Sequence, residues 1–152
     1  MFQTRITKLL NIKYPIIQGG LAYLAYADLA AAVSNAGGLG QITAMSLPTP
    51  ESLQKEIHKV KQLTTQPFGV NFAIGQHGRK FEHMVQVAID EQVPVVSITG
   101  GNPAGVLDML KKFLHKNTCL GSILKAGSKS PGIRRRCSDG RWTRRWRSLG
   151  QK

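Results

Sequence analysis

Three short apolar runs in this chain end or turn on residues suited to holding a ligand. Gln18-Gly19-Gly20-Leu21 closes the first, Asn71 stands inside the second, and Thr99-Gly100-Gly101-Asn102 closes the third. Glycine lets backbone N–H groups approach a flat ring or a phosphate closely. Asparagine offers a donor and an acceptor from one amide. These groups can bind and orient a ligand. Taken singly, each is more simply a turn glycine or a strand-end amide. Three of them on one rim point to a bound cofactor.

Other chemistry has less support. No HExxH, P-loop or nucleophile-elbow pattern occurs. Ala36-Gly37-Gly38-Leu39-Gly40 follows a helix and opens a strand, the reverse of a dinucleotide fingerprint. It reads as a helix stop with tight helix–strand packing. His58 and His83 fall on the polar sides of their helices and read as solvated. His77, in Gly75-Gln76-His77-Gly78 just past the third strand, could touch a substrate on the same rim, but reads more simply as an ordinary loop histidine. Residues 1–114 contain no cysteine, so neither a disulfide framework nor a Cys-based metal site is expected there, and no metal site is assigned.

The elements that must position these residues alternate in period. Strands are expected near 15–20, 39–44, 68–74 and 95–100. In the third, Phe68, Val70, Phe72 and Ile74 are large and apolar, whereas Gly69, Asn71, Ala73 and Gly75 are small or polar. One face should pack on helices and the other has room for a ligand. Helices are expected over 28–36, from a Thr49-Pro50-Glu51 start with Leu53, Ile57, Val60 and Leu63 on one stripe, over 80–91, and from Asn102-Pro103 to about 112. Four consecutive βα units imply parallel strands. A doubly wound sheet and half of a (β/α)8 barrel both fit, and both bind ligands at the C-terminal strand ends.

Composition divides the chain. Its 152 residues carry a net charge of +13. Residues 1–114 hold 10 Lys/Arg against 7 Asp/Glu, a net of +3; residues 115–152 hold 11 against 1, a net of +10. Cys119, Cys137, Trp142 and Trp146 all lie in the second part. The high pI is thus a property of a basic, irregular tail, expected to be disordered. Neither a leader peptide nor a membrane-spanning run is evident, and a cytoplasmic location is expected.

The blocks Tyr14-Pro15-Ile16-Ile17-Gln18-Gly19-Gly20, Ala32-Val33-Ser34-Asn35-Ala36-Gly37-Gly38-Leu39-Gly40, Pro67-Phe68-Gly69-Val70-Asn71 and Gly100-Gly101-Asn102-Pro103, with Thr4-Arg5-Ile6-Thr7 before them, resemble the nitronate monooxygenase (2-nitropropane dioxygenase) family. The flavin-dependent enoyl-ACP reductase is a close relative with similar blocks. The resemblance selects the barrel: an α/β fold, the N-terminal half of a (β/α)8 TIM barrel over 1–114, with FMN at its top face. It implies that Gly19, Gly20 and Leu21 lie near the flavin ring, that Asn71 contacts it, and that Thr99 and Gly100 line the same site. Leu21 stands where the family usually has Met. The family's proton-handling histidine, in a later Gly-Gly-His block, and its main phosphate-binding glycines have no counterpart here. The implied activity is oxidation of alkyl nitronates with O2, a small-molecule reaction, with enoyl-ACP reduction as the alternative. By itself this chain is expected to bind FMN weakly or not at all, to be inactive, and to self-associate through exposed strand edges.

Three readings of residues 115–152 remain. Arg134-Arg135-Arg136 and Arg141-Trp142-Thr143-Arg144-Arg145-Trp146-Arg147 could form a nucleic-acid-binding arm. They could equally be a structureless basic extension. The favoured reading is a frameshift. With codons begun at the second base, His115 to Gly121 can conceal Ile-Lys-Thr-Leu-Val-Leu-Val, a buried-strand pattern. Arg141 to Gly150 can conceal a glycine-rich Gly-Gly-His block, and both tryptophans become glycine without choice of codon.

Overall fold

Parallel pairing organises the chain. β1 (Gly40–Thr43), β2 (Phe68–Ile74), β3 (Val95–Gly100) and β4 (Ser122–Leu124) lie side by side in sequence order, every pair parallel. The structure, a computed structural model, describes residues 3–75, 81–113, 122–124, 135–136 and 142–143. The expected loop at His77 and most of the basic tail, with the disorder expected of it, lie outside the described residues. Within the tail, β4 extends the sheet, and β5 (Arg135–Arg136) pairs antiparallel with β6 (Trp142–Thr143).

The alternation of β2 decides between the two α/β architectures. Phe68, Val70, Phe72 and Ile74 enter one large core with Ile42 of β1 and Val96 and Ile98 of β3. That core also holds the buried residues of α2 (Ala27–Asn35), α3 (Pro50–Leu63), α4 (Glu82–Asp90) and α5 (Ala104–Phe113). All four helices therefore cover one face. A doubly wound sheet carries helices on both faces, whereas a barrel keeps them outside. The opposite face bears the in-register rows Gln41–Gly69–Val95 and Thr43–Asn71–Ser97, the layering of a barrel interior.

Local signals explain the helices. Thr49 caps α3: its hydroxyl accepts from Ser52 N–H, and Pro50 occupies the first turn. Leu53, Ile57 and Val60 are fully buried, but Leu63, expected on the same stripe, is the last residue of α3 and is 45% exposed. α2 lacks a side-chain cap of its own; the Glu56 carboxylate on α3 accepts from Ala27 N–H at 2.8 Å instead. Asn102 caps α5 by accepting from Ala104 N–H at 3.0 Å. At Gly40 a Cβ would stand 1.9 Å from the Ala30 carbonyl oxygen, the tight helix–strand packing expected of that glycine block.

Two features depart from expectation. A short helix, α1 (Arg5–Leu10), precedes the first βα unit, its N-terminus closed by a reciprocal Thr4–Thr7 capping box. With Ile12 it sets Leu10 against Leu39 and Val95 as a small second core on the inner face. The first expected strand, 15–20, contracts to one parallel bridge, Ile17 to Leu39. Among the described residues, no helix is long and apolar enough to cross a membrane.

Candidate functional site

The contracted first strand builds the site. Gln18 N–H donates to the Leu39 carbonyl at 2.9 Å, and there the backbone ladder stops. The Gln18 side chain continues it. Its Oε1 accepts from Gln41 N–H at 3.0 Å, and its Nε2 donates to the Gln41 carbonyl at 3.2 Å. One side-chain amide thus occupies the place of the next peptide unit. The main chain, released from the edge, runs through Gly19-Gly20 over the inner face of the sheet before it turns at 22–24. Gly20 lands on Asn71, where a Cβ would fall 2.3 Å from Asn71 Oδ1.

Beneath Gly19 and Gly20 lies a cavity of about 130 Å³. Gly19, Gly20, Asn71 and Thr99 line it near the C-terminal strand ends, Gln41 and Ser97 line its middle, and Leu10, Leu39 and Val95 form the floor. Asn71 is 2% exposed; its Nδ2 donates to Ser97 Oγ at 2.9 Å. Ser97 Oγ donates to Gln41 Oε1, and Gln41 Nε2 donates to the Gln18 carbonyl at 2.8 Å. Thr43, on the same inner face and register row as Asn71, is buried, and its Oγ1 is without a hydrogen-bond partner among the described residues. An unpaired buried hydroxyl costs about 1–3 kcal/mol. A larger depression, about 210 Å³, lies at the N-terminal strand ends against Lys13, Asn35 and Pro67. That end of a parallel sheet is not where ligands bind.

Four expected site residues, Gly19, Gly20, Asn71 and Thr99, meet in the cavity. Two do not line it. Leu21 is 46% exposed, carried away by the turn that follows Gly20. Gly100 sits at φ +84° with a would-be Cβ 2.4 Å from the Ile74 carbonyl oxygen, so it serves the turn out of β3. Gln41, Thr43 and Ser97 were not among the expected site residues, and Gln18 was named only as part of the first strand-end block.

The lining groups are amides, hydroxyls and apolar side chains; no acid or base lines the cavity among the described residues. Ionised chemistry sits elsewhere. His58 is exposed, as expected, and also bonds Glu91 at 2.8 Å. Lys61 and Gln54, also on α3, bond the same carboxylate at 2.7 and 2.9 Å. Lys61 first, then Gln54 and His58, hold Glu91 down at about 2. Among the described residues no cluster of three or more His, Cys, Asp or Glu could hold a metal ion.

Residues 3–79 match the family model for nitronate monooxygenase. A probable nitronate monooxygenase of Staphylococcus haemolyticus is 43% identical over 108 residues, 64% of this chain and 30% of that protein. A second, from Staphylococcus saprophyticus, is 40% identical over 106 residues. The chain therefore spans about 30% of the length of these curated relatives. Among solved structures, FabK from Thermotoga maritima superposes with a TM-score of 0.69 at 37% identity, covering 82% of this chain and 37% of that one. A nitroalkane oxidase from Streptomyces ansochromogenes gives 0.62 at 25% identity, covering 79% of this chain and 42% of that one.

Proposed function

The chain belongs to the nitronate monooxygenase family, and from that premise we propose that its cavity is the N-terminal wall of an FMN site serving the oxidation of alkyl nitronates with O2. The observation that carries this reading is the meeting of Gly20, Asn71 and Thr99 over a partly polar cavity at the C-terminal strand ends. The residues suit a flat, hydrogen-bonding ring. Gly20 leaves backbone where any side chain would intrude, and Thr43 keeps an unpaired buried hydroxyl on the same face. When bound, FMN supplies the electron-accepting ring. The Gly19-Gly20 backbone would admit it, and the amide of Asn71 and hydroxyl of Thr99 would hold its edge.

Taken alone, the 152-residue chain is expected to bind FMN weakly and not to turn over, because the family's proton-handling histidine block and main phosphate-binding glycines have no counterpart in its sequence. Titration of the purified chain with FMN, followed by flavin fluorescence, tests the site; O2 uptake on propyl-2-nitronate tests the activity. Tight one-to-one binding or turnover would overturn the reading of this chain as an incomplete site. No FMN binding at all would overturn the site itself.

A second reading is favoured by the superposition on FabK, which exceeds that on the nitroalkane oxidase in both TM-score and identity. On it, the whole protein reduces enoyl thioesters of acyl carrier protein. Restoring a complete barrel and comparing nitronate with enoyl-thioester turnover separates the two. A cytoplasmic location goes with either. We further infer that residues 115–152 are a frameshifted segment; the nucleotide sequence of the gene tests this directly.

A further inference from the structure

We infer that Gln18, Gln41 and Ser97 are positioning residues: a directed chain of hydrogen bonds among them locks the Asn71 amide so that its carbonyl oxygen is offered to the cavity, which therefore selects a ligand presenting a ring N–H there. The direction follows from backbone groups that cannot reverse. The Gln18 carbonyl can only accept, so Gln41 must turn its Nε2 towards it, at 2.8 Å. Gln41 Oε1 then faces Ser97, and Ser97 must donate to it. With its one hydrogen so used, Ser97 can only accept from Asn71, which turns its Nδ2 towards Ser97 at 2.9 Å. Asn71 Oδ1 is left beside Gly20 and Thr99, both in the cavity wall. Reversing the Asn71 amide would set two oxygens together without a hydrogen between them. Gln18 itself is held by Gln41 N–H and C=O, which fix its own amide. Gln41, Asn71 and Ser97 are all buried, where a hydrogen bond within such a network is stronger than one in water.

The ligand half of this inference rests on the flavin reading above; the hydrogen-bond chain does not, and the test keeps them apart. In the ligand-free full chain, the Asn71 side-chain amide protons are followed by NMR in the wild type, Ser97→Ala and the hydroxyl-retaining Ser97→Thr. One Asn71 Nδ2 proton should exchange slowly in the wild type and in Ser97→Thr, and exchange about tenfold or more faster in Ser97→Ala. Asn71 signals and exchange unchanged by Ser97→Ala would overturn the relay. For the ligand, lumiflavin carries a single ring N–H, and its 3-methyl derivative lacks it. The wild type should prefer lumiflavin by about tenfold, and Ser97→Ala, free to turn Asn71, should lose the preference. Equal binding of the two flavins by the wild type would overturn the selection for a ring N–H. Binding of neither would sink the flavin reading and the selection with it, while the amide exchange still decides the relay.

Discussion

Gly20 lies against the side chain of Asn71 so closely that one added methyl would stand 2.3 Å from Oδ1 and 2.8 Å from Cγ. The obstacle is a side chain, but one pinned by Ser97. Gly20→Ala should therefore fold with a loss of about 1–3 kcal/mol, the usual range for overpacking, and displace Asn71 from Ser97. Urea unfolding measures the first effect and FMN titration the second. A variant as stable as the parent, with unchanged flavin affinity, would contradict the contact.

Gly40 makes the opposite case. Its would-be Cβ meets backbone, the Ala30 carbonyl oxygen at 1.9 Å, and the hydroxyl of Ser34 ties the same helix to Gly40 N–H at 3.1 Å. Backbone cannot swing aside as a side chain can. Gly40→Ala should cost more than Gly20→Ala, about 3 kcal/mol or above, and appear as loss of soluble protein. Expression and urea midpoints of the two variants side by side check the order.

Glu91 sets an acid-sensitive contribution to stability. Its carboxyl is depressed from an ordinary 4.5 to about 2 by Lys61, Gln54 and His58. A folded-state value below the unfolded one means that the stabilisation is complete above pH 4.5 and drains away as pH falls towards 2. Glu91→Gln should therefore lie below the parent at pH 6, with the gap closing between 4.5 and 2. Urea midpoints across that range give the answer; a gap independent of pH would contradict the assignment.

The outer edge of the segment at Ile17 pairs with no described strand, and Ile16 and Ile17 are 61% and 42% exposed beside it. Free apolar edges recruit other chains. A second copy of this chain is the expected occupant, and Ile16→Lys should lower the association. Sedimentation velocity across a concentration series checks it; a parent chain that stays monomeric throughout would refute the claim.

What the sequence disclosed, and what it hid, follows from what periodicity can see. The alternation in 68–75 correctly divided β2 into a core face and a cavity face. The same period applied to 40–43 and 95–100 marks Gln41, Thr43 and Ser97 as inward-facing, but none of them stands at a glycine-bearing strand end. The first strand reads as a strand because Ile16 and Ile17 are apolar and β-branched. Yet hydrogen bonds, not side-chain types, end it at Gln18, and a side chain standing in for a peptide leaves no mark in periodicity. α1 escaped because six residues are too few for a helical stripe, and its capping box uses Thr7 where Glu or Gln is the usual signature. β4 spans three residues in a segment without period.

The small second core has a consequence for how the molecule comes apart. Four buried residues, Leu10, Ile12, Leu39 and Val95, seal one side of the sheet, and two of them arrive from the first twelve residues of the chain. The other side is sealed by a cluster built from every later helix. A layer so thin can peel away while the thicker one stays closed. Native-state hydrogen exchange should find α1 opening at lower free energy than β1–β3, so that the cavity first floods from below, through its floor, with the helical wall still intact.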